Sequence, residues 1–249
     1  MIKKIEDNRQ NAKNAIWIFY LMLAMIPISV LSNIWELGLI NDIAQGEYVD
    51  DVAANANDTR QQVIRLFQNL LLIASAITFL MWYHRAYKNI YNQVNYLNTS
   101  PGWAVGYFFI PFANLVYPYR KMRDIWTETQ SLLVDESERY KLKVNTGLID
   151  GWWTLFLLQS ILGNIARRIV LGAETLEDYI WGDRLMIASD MIEIPALLIN
   201  IAMIKRTNRF EEELRKKMEV DPFEANWQQD ASNAENIQEK DNQEENPEE

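Results

Sequence analysis

Residues 100–126 read SPGWAVGYFFIPFANLVYPYRKMRDIW, an aromatic and apolar stretch that ends in a cluster of basic residues. Its uncharged part, residues 103–119, is broken by Gly106, Pro111 and Pro118. A helix that crosses a bilayer needs about 20 predominantly apolar residues, which is more than this part supplies. The stretch is therefore apolar enough to enter a membrane, but it is too short and too broken to cross one as a regular helix.

Four other stretches have the composition of membrane spans. Residues 15–35 and 66–83 are uncharged runs, and the first follows basic residues without a convincing cleavage site, which indicates an uncleaved signal anchor. The third run is uncharged only over residues 151–166, so its arginines must extend to the interface, and the fourth contains two acidic residues. We predict an all-α, polytopic membrane helical bundle with about four transmembrane helices, over residues 15–37, 63–83, 148–171 and 185–204.

The distribution of basic residues predicts the topology. Four basic residues precede the first span, six lie between residues 120 and 143, and six lie between 205 and 217, whereas the loop at 41–62 carries one basic and five acidic residues. The positive-inside rule therefore favours four crossings with both termini in the cytoplasm. If segment 101–119 also crossed, the two later basic clusters would lie outside. We expect this segment to be re-entrant or interfacial and sheltered by the spans, with a five-span protein as the alternative.

Two cytoplasmic amphipathic helices and a polar tail complete the predicted organisation. Apolar residues recur at helical spacing over residues 87–94 and 122–133, and both helices could lie on the inner leaflet or pack on the ends of the spans. Asp221-Pro222 is expected to end the last helix, and residues 221–249 are expected to form a disordered acidic tail, either solvated or used for docking. The predicted domains are a cytoplasmic N-terminus (1–14), a membrane domain (15–220) and the tail (221–249).

Composition and motifs exclude several kinds of chemistry. The chain has no cysteine and one histidine, His84, which we interpret as an interfacial anchor rather than a titrating switch. It contains no phosphate-binding loop, HExxH, GxSxG or GxGxxG motif. The net charge of −10 argues against nucleic-acid binding. We therefore expect no catalytic residue, metal site or cofactor, and we predict that the protein is not an enzyme.

A pair of acidic residues in the fourth span is the candidate intramembrane site. Asp190 and Glu193 are three residues apart and share a helix face, and an intramembrane carboxyl is a functional candidate because it is costly to bury. One hypothesis is a proton or cation site that faces the bundle interior. The alternatives are a buried ion-pair cluster with Arg167 and Arg168 of the preceding span, and a shallow helix end that is exposed to water. Other polar residues in apolar runs, Asn114, Gln159 and Asn164, are expected to form interhelical hydrogen bonds.

The block at 82–126 carries a specific pattern of tryptophan, proline and glycine. It contains WxxRAYxN at 82–89, then SPGWAVG at 100–106, FIP at 109–111, NL at 114–115, PY at 118–119 and RxIW at 123–126. This pattern resembles the bacterial membrane-protein family called domain of unknown function 4328 (DUF4328), although Tyr107 replaces a more frequent tryptophan. The resemblance implies a multi-pass inner-membrane protein with no known activity or ligand. It also implies a family signature formed by Arg85, Tyr87, Asn89, Pro101, Gly102, Trp103, Gly106, Pro111, Asn114, Pro118, Tyr119, Arg123 and Trp126.

Three functions fit these observations. The first is a non-enzymatic structural, sensing or assembly protein of the bacterial inner (cytoplasmic) membrane, with both termini cytoplasmic. The second is a small-solute or ion transporter or channel that uses Asp190, Glu193 and the broken segment 101–119. The third is a lipid-modifying enzyme with an unfamiliar site. The expected partners are the lipid bilayer and a protein partner or second copy of the chain, and no nucleic acid.

Overall fold

The protein is a bundle of long helices. The computed structural model describes residues 4–135, 139 and 141–244, with side chains through Glu219, and these ranges contain no strand. The described α-helices are α1 (Arg9–Ala44), α2 (Asp51–Tyr91), α3 (Pro101–Gly106), α4 (Tyr117–Leu133), α5 (Gly147–Leu171) and α6 (Leu176–Glu244). Helices α1, α2, α5 and α6 are each long and apolar enough to cross a membrane, which confirms the all-α prediction and the number of candidate spans.

The four long helices form an open rather than a closed bundle. Helix α1 packs against α2 and α6, and α5 packs against α6, while the described parts of α2 and α5 have at most marginal contact with each other. Glycines set the antiparallel register of α5 and α6: a β-carbon on Gly163 would lie 3.6 Å from Ser189 Oγ, and one on Gly182 would lie only 2.5 Å from Val170 Cγ2. Close approach at small residues is the usual basis of helix packing in membranes.

One end of the bundle, which we call the basal end, collects the N-terminal segment, the end of α2, helices α3 and α4, and the basic part of α6 after residue 204. Asn8 donates hydrogen bonds to Trp82 O of α2 and to Glu211 of α6, which joins the N-terminal segment to both helices. Helices α3 and α4 follow the end of α2; α3 packs against α2, and α4 packs against α2 and α6. Segment 101–119 therefore starts and finishes at the basal end and contributes no fifth long helix.

The amphipathic helices differ in one boundary from the prediction. Residues 87–91 belong to α2 rather than to a separate helix, because the apolar face of α2 continues into Tyr87 and Ile90, which are buried in the core, and Val94 lies beyond its end. The second predicted helix is α4, which buries Met122, Ile125 and Trp126 toward the bundle. Of the two placements considered for α4, it packs on the ends of the spans.

Helix α6 is longer than predicted. Its backbone continues through Pro222 to Glu244, so the helix end expected at Asp221-Pro222 is wrong. The segment is rich in Glu, Gln and Ala, which favour helix locally even where no apolar face is available for packing. The disorder of the tail in solution stays a prediction, and residues 245–249 lie outside the described part of the chain.

Candidate functional site

Segment 101–119 folds as a series of short turns. Ser100 caps α3 by accepting a hydrogen bond from the Trp103 amide, and two 3₁₀ turns follow, Tyr107–Phe109 and Ala113–Leu115. Between them Phe112 has a φ of 63° and a side chain that is 84% exposed. The Ala113 amide donates to the Pro111 carbonyl at 2.8 Å, which makes residues 111–113 a γ-turn of the strained, positive-φ type.

Neighbouring helices donate hydrogen bonds to two carbonyls here, one in the second 3₁₀ turn and one in the first turn of α4. The Tyr83 hydroxyl of α2 donates to the Pro118 carbonyl at 3.1 Å, and Trp153 Nε1 of α5 donates to the Leu115 carbonyl at 3.1 Å. Phe108 packs edge-on against Phe79 and Tyr83. Side chains of α2 and α5 therefore hold part of this irregular backbone against the bundle.

The N-terminal segment is fastened to α2 and α6 by a buried amide. Asn89 Oδ1 accepts from the Glu6 amide at 3.0 Å, and Asn89 Nδ2 donates to the Glu6 carbonyl at 3.0 Å and to Glu211 Oε1 at 2.9 Å. Asn8 donates to the other carboxylate oxygen of Glu211 at 3.2 Å. We call Glu6, Asn8, Asn89 and Glu211 the strap cluster. Its members are far apart in the sequence, so their contact could not be predicted from the sequence alone, although Asn89 belongs to the family signature.

Two basic residues add charge to this attachment. Glu6 forms ion pairs with Lys88 at 2.6 Å and with Arg85, a signature residue, at 2.9 Å. The hydrogen bond from the Lys88 ammonium, followed by the charge of Arg85, lowers the pKa of Glu6. The Glu6 side chain is 34% exposed, so solvent screens these pairs and they orient the strap more than they stabilise it.

The candidate intramembrane cluster joins three helices. The Ser29 hydroxyl of α1 donates to Asp190 Oδ2 of α6 at 2.8 Å and accepts from Gln68 Nε2 of α2 at 3.0 Å. Glu193 lies one turn along α6, beside Gln159 of α5, and both residues line the same two cavities. Asp190 and Glu193 are therefore brought to the bundle interior, as the first hypothesis for them requires.

The two arginines do not join this cluster. Within the described residues neither Asp190 nor Glu193 forms an ion pair, and Arg167 and Arg168 are exposed. The predicted ion-pair cluster is wrong because of the α5–α6 register. With Gly163 facing Ser189, the arginines lie opposite positions 184–185 of α6, about 8–9 Å further out than Asp190 at about 1.5 Å per residue.

Two cavities meet at Glu193. The smaller, of about 170 Å³, is lined by polar Gln68, Asn69 and Gln159 together with methionine, isoleucine and leucine side chains. The larger, of about 310 Å³, is lined mostly by aromatic and aliphatic side chains of α1, α2, α5 and the broken segment. Both cavities lie at the open side of the bundle between α2 and α5. Glu193 lines both of them and is the acidic residue that they share.

A second polar network lies toward the opposite end of α1 and α2. Arg60 Nε donates to Ser32 Oγ at 3.0 Å, and Gln61 donates to Glu36. Asp183 of α6 is 6% exposed, and its Oδ2 has no hydrogen-bond partner among the described residues. This network was not predicted from the sequence, although Ser29, Ser32 and Glu36 follow the i, i+3, i+7 spacing that indicates a polar face of α1.

Other signature residues differ in their contacts at the basal end. Tyr119 donates to Asp150 at 2.7 Å, and Trp126 Nε1 donates to the Asn145 carbonyl at 2.9 Å. Tyr87 is fully buried, whereas Trp103 and Arg123 are exposed.

Two predicted residues lie outside the signature. His84 is partly buried next to the aromatic core. Asn164 donates only to the Ser160 carbonyl of its own helix, so its predicted interhelical bond is wrong.

Within the described residues, no group of three or more histidine, cysteine or acidic side chains could hold a metal ion. No curated protein and no solved structure matched the chain. The family model of the domain of unknown function 4328 matched residues 45–209, about two thirds of the chain, and this range includes the broken segment, Asn89 and the Asp190–Glu193 pair. The chain belongs to the DUF4328 family.

Proposed function

We propose that this membrane protein is a non-enzymatic sensor that binds a proton or a cationic ligand at Asp190 and Glu193. The observation that carries the proposal is the placement of both carboxyls in the bundle interior with hydroxyl and amide neighbours and, among the described residues, no ion-pair partner. A buried carboxylate without a basic partner is costly, so its charge is neutralised by a proton or by a bound cation. A site of this kind responds to whatever supplies that positive charge.

The proposal includes the orientation of the bundle. With the basal end in the cytoplasm, both termini and most basic residues lie inside, as the positive-inside rule favours. Segment 101–119 then enters the inner leaflet as a re-entrant or interfacial element with the exposed Phe112 at its tip. The assignment to the inner membrane, and an association with a protein partner or a second copy of the chain, belong to the same proposal.

Sensing is favoured over conduction because packed groups close the site along the bundle axis. On the basal side Phe79 packs against Trp82, Tyr83 and Trp152, and on the other side the network of Ser32, Arg60 and Gln61 joins α1 to α2. A binding site closed on both sides along the axis fits recognition of a bound species better than continuous flow.

A hydrophobic carbodiimide tests the proposal, because such reagents modify protonated carboxyls in apolar surroundings. We expect dicyclohexylcarbodiimide to label Glu193 of the purified protein, as located by peptide mass spectrometry, and we expect cations or high pH to protect it. The exposed Asp42 serves as the control carboxyl. Labelling of Glu193 that neither pH nor any cation alters would refute the proposal.

Transport is a second candidate because a row of polar residues runs along α6. Its members follow one another at intervals of one or two helical turns, which keeps them near one face of the helix: Asp183, Asp190, Glu193, Asn200, Thr207 and Glu211. Chains of acidic residues through a membrane are typical of proton and ion pathways. Proteoliposome flux that disappears in Glu193→Gln, but persists in Glu36→Gln, would favour transport over sensing.

A further inference from the structure

The larger cavity next to Glu193 has a distinctive lining. Aromatic rings from four parts of the chain border its space of about 310 Å³: Phe19 of α1, Phe79 of α2, Phe108 and Phe109 of the broken segment, and Trp152 and Phe156 of α5. We call this space the aromatic chamber. Its volume lies at the lower end of the range of about 300–1,000 Å³ that is typical of small-molecule sites.

The chemistry of the lining selects one class of ligand. The face of an aromatic ring attracts cations, and this attraction increases when the site excludes water. Glu193 adds a carboxyl at the boundary of the chamber, and within the described residues it has no basic partner. A hydrated inorganic cation would leave the rings unused, and an uncharged hydrocarbon chain would leave the carboxyl unpaired. A cation with an apolar body contacts the aromatic rings and also pairs with the carboxyl.

The open side of the bundle gives such a ligand a route. Helices α2 and α5 do not pack closely, and the chamber lies between them, bordered by both helices. A ligand that partitions into the bilayer therefore reaches the chamber sideways, between Leu72 or Ala76 of α2 and Phe156 of α5. The smaller cavity on the other side of Glu193 provides Gln68 and Asn69 for a polar substituent.

We infer that the ligand of the Asp190–Glu193 site is a lipophilic organic cation, such as a substituted ammonium or phosphonium, whose charge pairs with Glu193 and whose apolar body occupies the aromatic chamber. This inference rests on the proposed function and specifies the ligand class of the same site.

Binding of tetraphenylphosphonium to the full chain in lipid nanodiscs tests the inference, with triphenylphosphine oxide as an uncharged probe of similar shape. We expect the cation to bind, to quench tryptophan fluorescence and to protect Glu193 from the carbodiimide, and the neutral probe to bind at least tenfold more weakly. Glu193→Gln should weaken cation binding about tenfold or more, since the pair is shielded from water. Phe156→Leu should weaken it about two- to fivefold through the loss of one ring. Glu36→Gln, in the opposite polar network, should leave it unchanged.

The outcomes separate this inference from the proposed function. If sodium ions, potassium ions or pH protect Glu193 while tetraphenylphosphonium does not, the aromatic chamber is not the ligand site, and the proposed function stands. If both probes bind equally to the native chain, the chamber accepts any apolar molecule, such as a lipid chain, and the inference fails. This comparison uses only the native chain, so it decides the matter even if a variant does not fold. If neither cations nor pH alter the carbodiimide labelling of Glu193, the proposed function fails as well.

Discussion

Replacing Asn89 with alanine should release the N-terminal segment from the bundle. The Asn89 side chain is 2% exposed and makes three hydrogen bonds, two to the backbone of Glu6 and one to the Glu211 carboxyl. A neutral hydrogen bond contributes about 0.5–1.5 kcal/mol net, and one to a charged group about 1.5–3 kcal/mol. Because the three bonds share one side chain and are not additive, we expect a loss of about 2–4 kcal/mol in the free energy of attachment.

The release can be measured at Ile5, which is 2% exposed in the attached segment. The chain has no cysteine, so Ile5→Cys provides a single reporter thiol. A loss of about 2–4 kcal/mol corresponds to thiol labelling that is about 30- to 1,000-fold faster when labelling reports local opening. Asn95→Ala, at an exposed position just beyond α2, is the matched control and should leave the rate unchanged. Equal labelling rates in the Asn89 variant and in the control would refute the view that the strap cluster holds this segment on the bundle.

Three further predictions concern other parts of the bundle. Gly182→Ala should lower the free energy of unfolding in detergent by about 1–3 kcal/mol, because the new β-carbon would lie 2.5 Å from a valine of α5. Gly163→Ala should cost little, because its β-carbon would lie at an ordinary contact distance of 3.6 Å from the nearest side chain. Similar losses in the two variants would show that the close approach at Gly182 does not set the register. The attachment at residue 5 should weaken at acid pH, because the lowered pKa of Glu6 contributes stability that is complete above the unfolded pKa of about 4.3 and is lost as the pH falls through the folded pKa. The mobility of a spin label at residue 5 should show this weakening below about pH 4.3, and Glu6→Gln should abolish it. Phe112→Gly should raise the free energy of unfolding by about 1 kcal/mol, because glycine adopts the positive φ of this position without strain. Phe112→Ala should not raise it. Equal thermal stability of the two variants would contradict strain at the γ-turn.

The number of candidate spans could be predicted from the sequence because its signals are local. Runs of apolar residues and the placement of basic residues require no knowledge of how helices pack, and the described part of the chain has four helices that are long and apolar enough to cross a membrane. The helix ends were less predictable. Helix α1 extends beyond the predicted span, which ends at residue 37, to Ala44. The helix continues through Asn41 and Asp42, polar residues that a hydropathy pattern excludes from a span.

The candidate site was predictable only in part. The costly carboxyls Asp190 and Glu193 stand out in an apolar run, but their partners depend on the register of α5 against α6. Gly182 allows the close approach that fixes this register, and the register moves the arginines away from Asp190. The partner that the structure supplies instead is Ser29 of α1, which is distant in sequence and is brought to Asp190 only by the packing of α1 on α6.

The broken segment gains a structural role from the gap between α2 and α5. A regular helix at this position would use its carbonyls mainly for its own hydrogen bonds. The prolines and the γ-turn interrupt the helix instead. Trp153 of α5 donates to the carbonyl of Leu115 in the second 3₁₀ turn, and Tyr83 of α2 donates to the carbonyl of Pro118 at the start of α4. The segment therefore bridges two helices that otherwise have little contact, and its Phe108 forms part of the wall of the aromatic chamber. The breaks that keep this stretch from forming one long helix are therefore the features that let it connect α2 and α5 at the basal end.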